Sequence, residues 1–279
     1  SGGVAVGTGG SWRWGRPRLL PAPDSFEELY GITTVGLYAM VARRHMHEYG
    51  TTSEQLAEIA VAMRHNASFN PSAMYRDPLT VKDVLSSRLV SAPLHLLDCC
   101  VISDGAGAII VAAPEVARSC RKKPVWVLGV GEAVRHQAGG YRDLLEIAAA
   151  QSGPDAFKMA GVTHSDIDMC MLYDSFTITV LETLENLGFC QRGEGGAFVS
   201  GGRLKIGGAL PTNTDGGGLS SNHPGMRGVF LLIEATRQLR GDYAGTPRQV
   251  ADCRIAICHG TGGTLGTRHS GGTAILARD

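Results

Sequence analysis

Three clusters in the second half of the sequence hold residues whose types and spacing suit proton transfer or oxyanion binding. The first is Leu172-Tyr173-Asp174-Ser175-Phe176. A phenol delivered at a strand end can donate a hydrogen bond to an oxyanion or pass on a proton. It can equally cover a sheet edge while Asp174 or Ser175 caps the next helix. The second runs from Asn213-Thr214-Asp215-Gly216-Gly217-Gly218 into Ser220-Ser221-Asn222-His223-Pro224-Gly225-Met226-Arg227-Gly228. Glycines such as Gly217 and Gly218 let the backbone approach a ligand closely. His223 precedes an apolar helix, whose first N–H groups favour an anion or oxyanion. The third is Cys258-His259-Gly260-Thr261-Gly262-Gly263, directly after the apolar run at 254–257. A thiol at a strand end beside glycine N–H groups is expected to have a lowered pKa and to act as acid, base or nucleophile. The alternative is a small buried hydrophobe.

The elements that must position these clusters follow from periodicity and punctuation. Residues 1–24 are rich in Gly and Pro and predict a loop, followed by a helix through Tyr38, Ala39, Val41 and Ala42 that ends near Gly50. Thr52 with Gln55 three residues later is a capping box, and it starts a helix with Leu56, Ile59, Ala60 and Met63 on one face. Asn70-Pro71 breaks that helix, and Thr80 caps a further short one. The turn Asp104-Gly105-Ala106-Gly107-Ala108 leads into a β-branched apolar run at 109–113, predicted as a buried strand. After Lys123-Pro124 the pattern becomes regular: a strand at 125–130, a helix at 142–151, a buried strand at 169–172 entering Tyr173, and a helix ending near Gly188. An apolar helix at 229–239 and two final strands, at 254–257 and 273–276, joined by a glycine-rich turn, complete the chain. Strands alternating with helices give an α/β class. Sites in such sheets gather at the carboxyl ends of strands.

Apolar residues make up 43% of the 279 residues and charged ones 19%, a balance that supports a sizeable core and excludes a disordered chain. The formal net charge is +0, so no field-driven affinity for nucleic acid or an anionic membrane is expected. The seven cysteines are odd in number and lack any CxxC spacing. This fits neither a disulfide framework nor a structural zinc site and predicts a reducing, cytoplasmic setting with no metal. No apolar run approaches the roughly 18 residues of a membrane span.

Taken in order, Tyr173–Phe176, Asn222–Pro224 and Cys258–Gly260 resemble the three late motifs of the thiolase superfamily. The likeness is to its sterol-carrier-protein-x or lipid-transfer-protein branch, and it covers nearly all of the chain from about Phe26 onward. It implies a thiolase-like fold, layered α/β halves around a buried helix pair with a loop domain, of which the first half is incomplete here. Residues 1–123 would form the loop domain and the remainder of the N-terminal half, and 124–279 the C-terminal half. The resemblance further implies that His223 polarises a thioester oxygen or activates a nucleophile, that Cys258 moves a proton at the substrate α-carbon, and that Tyr173 takes the oxyanion-hole or proton-transfer position. Asn222, Gly217, Gly218, Gly260 and Asp174 would shape the oxyanion and substrate contacts. Coenzyme A would enter as substrate or thioester, with no tightly bound cofactor.

Two departures from the family pattern stand out. No cysteine has the Cys-Xaa-Ser-Gly-like setting of the thiolase nucleophile, Cys99-Cys100 included, so that part of the family fold is expected to lie outside this chain. Tyr173 also replaces the Asn or His of true thiolases, which is similar to the thiolase-like retro-aldolases of steroid side-chain degradation, enzymes that pair with a small OB-fold partner. Three readings follow: acyl transfer on an acyl-CoA of lipid or sterol metabolism, retro-aldol cleavage of a β-hydroxyacyl-CoA, and a non-catalytic scaffold. A homodimer is expected in the enzyme readings, with the OB-fold and zinc-ribbon protein as a possible second partner.

Overall fold

The structure, a computed structural model, describes residues 33–135, 143–225, 227–265 and 269–279; the loop expected at 1–24 lies outside them. Helix α1 (Thr34–Tyr49) starts where the Thr33 side chain accepts the Gly36 N–H and stops at Gly50, whose φ of 73° ends the turn. Helix α2 (Ser53–Ser68) carries the expected box: the Thr52 hydroxyl accepts the Gln55 N–H, and the Gln55 side chain accepts the Thr52 N–H. Helix α3 (Val81–Ser86) opens with a second box between Thr80 and Asp83. A small hairpin, β1 (Leu89–Ser91) and β2 (Leu94–His95), and helix α4 (Pro114–Ser119) precede the main sheet.

That sheet begins with β3 (Trp126–Arg135), and helix α5 (Ala149–Ala160) follows. Next come β4 (Met169–Leu172), α6 (Thr177–Leu187) and the short α7 (Gly195–Val199). A π-helical turn at Gly217–Ser221 leads to α8 (Arg227–Arg240), and β5 (Ile255–Gly263) and β6 (His269–Ala277) close the chain. The strand order is β3-β6-β5-β4, with β4 and β5 parallel and the other pairs antiparallel. Strand alternation sends side chains to two faces. Cys170, Leu172, Ile257 and Ile275 join α1, α2 and α6 in one apolar cluster, while Met169, Met171, Cys258 and Leu276 pack against α8 in another. Helix α5 lies unusually close to β3, because a Cβ at Gly129 or Gly131 would strike the main chain of α5 at Ala156 and Ser152.

Three local expectations are corrected. The apolar run at 109–113 forms no strand, and Ile110 and Val111 are 93% and 85% exposed. Its Val and Ile content favours a pleated, half-buried surface, which requires a neighbouring strand that the described residues do not supply. The helix expected at 142–151 starts only at Ala149 and runs through Gly153-Pro154. Polar side chains claim the earlier amides: Asp143 accepts the Leu145 N–H and Asn186 the Ile147 N–H, which competes with helix formation. Glycines expected in the turn between the last two strands instead extend β5 through Gly263 and sit within β6 at Gly271 and Gly272, with Gly260 opposite Gly272 in the ladder.

Candidate functional site

Tyr173 follows β4 directly, its N–H donating to the His259 carbonyl at 2.9 Å. Its ring meets His223 edge-on, with centroids 5.2 Å apart and planes at 81°. Asp174 is wholly buried, its carboxylate accepting the Gly218 N–H at 2.6 Å and the Leu219 N–H at 3.2 Å. The glycine turn is held from its other side by Asp215, which accepts the Gly217 N–H at 3.0 Å. Gly217 has φ 66°, and a side chain there would run into Asp174; a Cβ on Gly218 would sit 2.9 Å from the His223 ring. No other residue fits these two positions.

A stretch that sequence reasoning passed over laces the motif loops together. Cys99 bridges to Phe176, the Cys100 N–H donates to the Ser175 carbonyl, and the Val101 N–H donates to the Gly218 carbonyl. Ser103 then accepts the His223 N–H at 3.0 Å. Arg227 was also overlooked. Its fully buried guanidinium donates to both Asp215 oxygens at 2.7 Å and to Asn222 at 2.9 Å, and it lies 3.9 Å from Asp174. Asp174 lies more than fifty residues before Arg227, so an arginine at the first turn of an apolar helix carries no local signal of this role.

The electrostatics separate the two ring side chains. Burial, and then the Arg227 charge, pulls His223 down to about 4, so its imidazole is neutral; Nε2 is buried with no hydrogen-bond partner in the described structure. Burial pushes the Tyr173 phenol up from its ordinary 10, so it keeps its proton. Burial pushes Asp174 up to about 7, against the pull of Arg227 and two backbone amides.

Tyr173 lines a cleft of about 450 Å³. Its floor is a row across the sheet, in which Glu132 pairs with Gly272 and Gly272 with Gly260, and Tyr173 stands next in line beside Gly260. Two residues without side chains therefore separate the phenol from the Glu132 carboxylate, and Gly228 of α8 closes over Gly260. Cys258 projects from the same sheet face as Met171, which precedes Tyr173 by two, and lines an adjoining cavity of about 1070 Å³ that shares Gly228, Gly260, Gly272 and Glu132. The structure thus joins Tyr173 to His223 and places Cys258 next door.

Several site expectations change in this arrangement. Cys258 is not at a strand end but in the middle of β5; its thiol donates to the Leu231 carbonyl at 3.7 Å within an apolar cluster, and burial pushes its pKa up instead of down. The Gly217 and Gly218 N–H groups are already given to Asp215 and Asp174, so these glycines contribute shape and not oxyanion donors. Asp174 touches the turn and not the cleft, Asn222 is held by Arg227, and Gly260 does line the cleft. Among the described residues, no group of three or more His, Cys, Asp or Glu could hold a metal ion, and no helix is long and apolar enough to cross a membrane.

Residues 131–278 match the family described as "Thiolase C-terminal domain-like". An acetyl-CoA acetyltransferase of Methanothermobacter thermautotrophicus is 42% identical over 255 residues, covering 90% of this chain and 66% of that protein. A steroid side-chain-cleaving aldolase of Thermomonospora curvata is 39% identical over 246 residues, covering 84% of this chain and 61% of the relative. The solved structure of an Ltp2-ChsH2(DUF35) aldolase superposes with a TM-score of 0.81 at 37% identity, covering 93% of this chain and 68% of its own. The chain spans just under two thirds of the length of the curated relatives it matches.

Proposed function

Because the chain belongs to the thiolase superfamily, we propose that it is an enzyme acting on a carbon–carbon bond beside a coenzyme A thioester. The observation that carries this is the edge-on contact of Tyr173 and His223 beside a glycine-floored cleft, one residue held protonated and the other neutral. Such a pair suits one reaction step from both ends: the imidazole accepts a proton while the phenol donates a hydrogen bond to the oxygen where charge develops.

Acyl transfer and retro-aldol cleavage share that requirement, and the setting of Cys258 favours the second. In retro-aldol cleavage, His223 takes the proton of a β-hydroxyl group, and the bond between the α- and β-carbons breaks to release a ketone or aldehyde. Its electron pair passes into an enolate of the thioester. Tyr173 hydrogen-bonds the enolate oxygen, and the proton returns from His223 to the α-carbon. No step needs a thiolate. In acyl transfer, Cys258 would move the α-carbon proton, and a nucleophilic cysteine beyond residues 1–279 would carry the acyl group. The exposed apolar residues Ile110, Val111 and Val134 suit burial against the rest of the family fold, a second copy, or a small OB-fold and zinc-ribbon partner.

The test supplies the full-length protein with one β-hydroxyacyl-CoA and one β-ketoacyl-CoA, with and without free coenzyme A, and follows products by mass spectrometry. Carbonyl release from the hydroxy substrate without free coenzyme A establishes retro-aldol cleavage. Coenzyme A-dependent splitting of the keto substrate establishes thiolysis. Neither product, with any partner present, leaves the scaffold reading.

A further inference from the structure

Arg227 is wholly buried and does not line either cavity, yet each of its partners adjoins a functional element. Asp174 follows Tyr173 in the chain, Asn222 precedes His223, and Asp215 opens the glycine turn that lies against both. Asp174 and Asp215 share the same task, since together they accept the first three amides of that turn. One guanidinium therefore stands between Asp174, Asp215 and Asn222, each next to a different part of the Tyr173–His223 pair.

We propose that Arg227 is a positioning residue for the proposed reaction, clamping Asp174, Asp215 and Asn222 so that Tyr173 and His223 keep the geometry of their contact. The inference rests on the functional reading above and adds to it a residue outside the cleft. The planar fork matters as much as the charge. One terminal nitrogen serves both oxygens of Asp215 while the other reaches Asn222, a span between two partners that the single nitrogen of a lysine ammonium reproduces poorly. Asp174 receives the charge without a hydrogen bond, which leaves its oxygens to the Gly218 and Leu219 amides.

The clamp also sets the electrostatic surroundings of His223. The groups that face this ring are Tyr173, Arg227, the Ser103 hydroxyl at its backbone, and Asp174 across Gly218. Arg227 is the one cation among them and disfavours protonation of the imidazole. Removing it together with its closest anion changes that balance and leaves one buried carboxylate, Asp174, whose raised pKa lets it take up a proton in place of the lost cation.

The experiment compares Arg227→Lys with the paired variant Arg227→Met/Asp215→Asn in the full-length protein. Folding is checked by thermal unfolding, kcat and KM are measured on the substrate that the wild type cleaves, and His223 is titrated by NMR of the labelled imidazole. Arg227→Lys should keep the fold and the His223 titration while kcat falls about 10²-fold with KM nearly unchanged, the size expected for a misplacement of roughly 1 Å. The paired variant should show the same loss and a His223 titration moved to higher pH. Folded variants with kcat within about twofold of wild type, or a His223 titration that does not move in the paired variant, overturn the proposal. The titration needs no substrate, so it still decides the clamp if the wild type cleaves neither acyl-CoA, an outcome that sinks only the functional reading.

Discussion

The end of β4 and the middle of β5 lie side by side in the sheet, yet they prepare their reactive side chains in opposite ways. β4 stops at Leu172, so Tyr173 leaves the ladder and meets His223 at the edge of an open cleft. β5 continues five residues beyond Cys258, so that thiol stays in the ladder with methionines and leucines around it. Both groups are held protonated by burial. Only the phenol has a neutral base against it. In the proposed reaction, chemistry follows from where a strand stops, since termination of β4 sets the Tyr173 ring against His223 while continuation of β5 keeps Cys258 among packed neighbours.

The comparison breaks most visibly in turnover. Tyr173→Phe removes the hydrogen bond to the enolate oxygen and preserves the ring contact, so kcat should fall about 10²–10³-fold, the range for a lost oxyanion donor. Cys258→Ala should cost less than about tenfold under retro-aldol cleavage. A reversed ranking in steady-state kinetics would assign the chemistry to β5 and to acyl transfer.

Acid stability sharpens the same contrast. His223 beside Tyr173, His259 beside Cys258, and His269 are drawn down to about 4, 3 and 4, first by burial in each case. A depressed histidine pKa favours the folded state above its ordinary value near 6.5, and that contribution disappears as pH falls through the folded value. Stability should therefore drop between about pH 6.5 and 4, by up to about 1.4 kcal/mol per pH unit for each group. Asp174 works in the other direction: raised to about 7, its contribution is present below the ordinary carboxylate range and fades as pH rises through 7. Urea unfolding across this range should show a flatter acid limb in both His223→Asn and His259→Asn, with activity lost only in the first.

Thiol chemistry gives the smallest effect. Cys120 is exposed and should react promptly with iodoacetamide in the native protein, whereas Cys258 should be alkylated only after unfolding. Rapid labelling of native Cys258, read by peptide mass spectrometry, would contradict the apolar setting assigned to it.

How much of this was legible in the sequence depended on the reach of each interaction. The Thr52–Gln55 box was readable because both partners lie within one turn, and the strand entering Tyr173 was readable because its four apolar residues end abruptly in polar ones. Cys258 was misplaced because glycines after a short apolar run suggest a turn, whereas here Gly260 pairs with Gly272 and extends the ladder. The run at 109–113 has the composition of a strand, but composition cannot provide a neighbour to pair with. Arg227 was hidden for a related reason: its partner Asp174 is more than fifty residues away in sequence, and nothing local about an arginine at a helix start reveals a buried clamp.

The close seating of α5 on β3 has a consequence for how this sequence can drift over generations. Gly131 lies under the Ser152 carbonyl, so every other amino acid there brings a Cβ into main chain that cannot step aside without shifting the whole helix. Ser152 in turn hydrogen-bonds Thr273, and Thr273 hydrogen-bonds His259, so such a shift would pull on a polar chain reaching the centre of the sheet. Gly161, at the far end of the same helix, has φ 67° and nothing within 4 Å of a built Cβ. Asparagine can occupy that conformation at modest cost. Two glycines against one helix thus carry unequal mutational loads, and a saturation library should retain asparagine and few other residues at Gly161 while losing every substitution at Gly131.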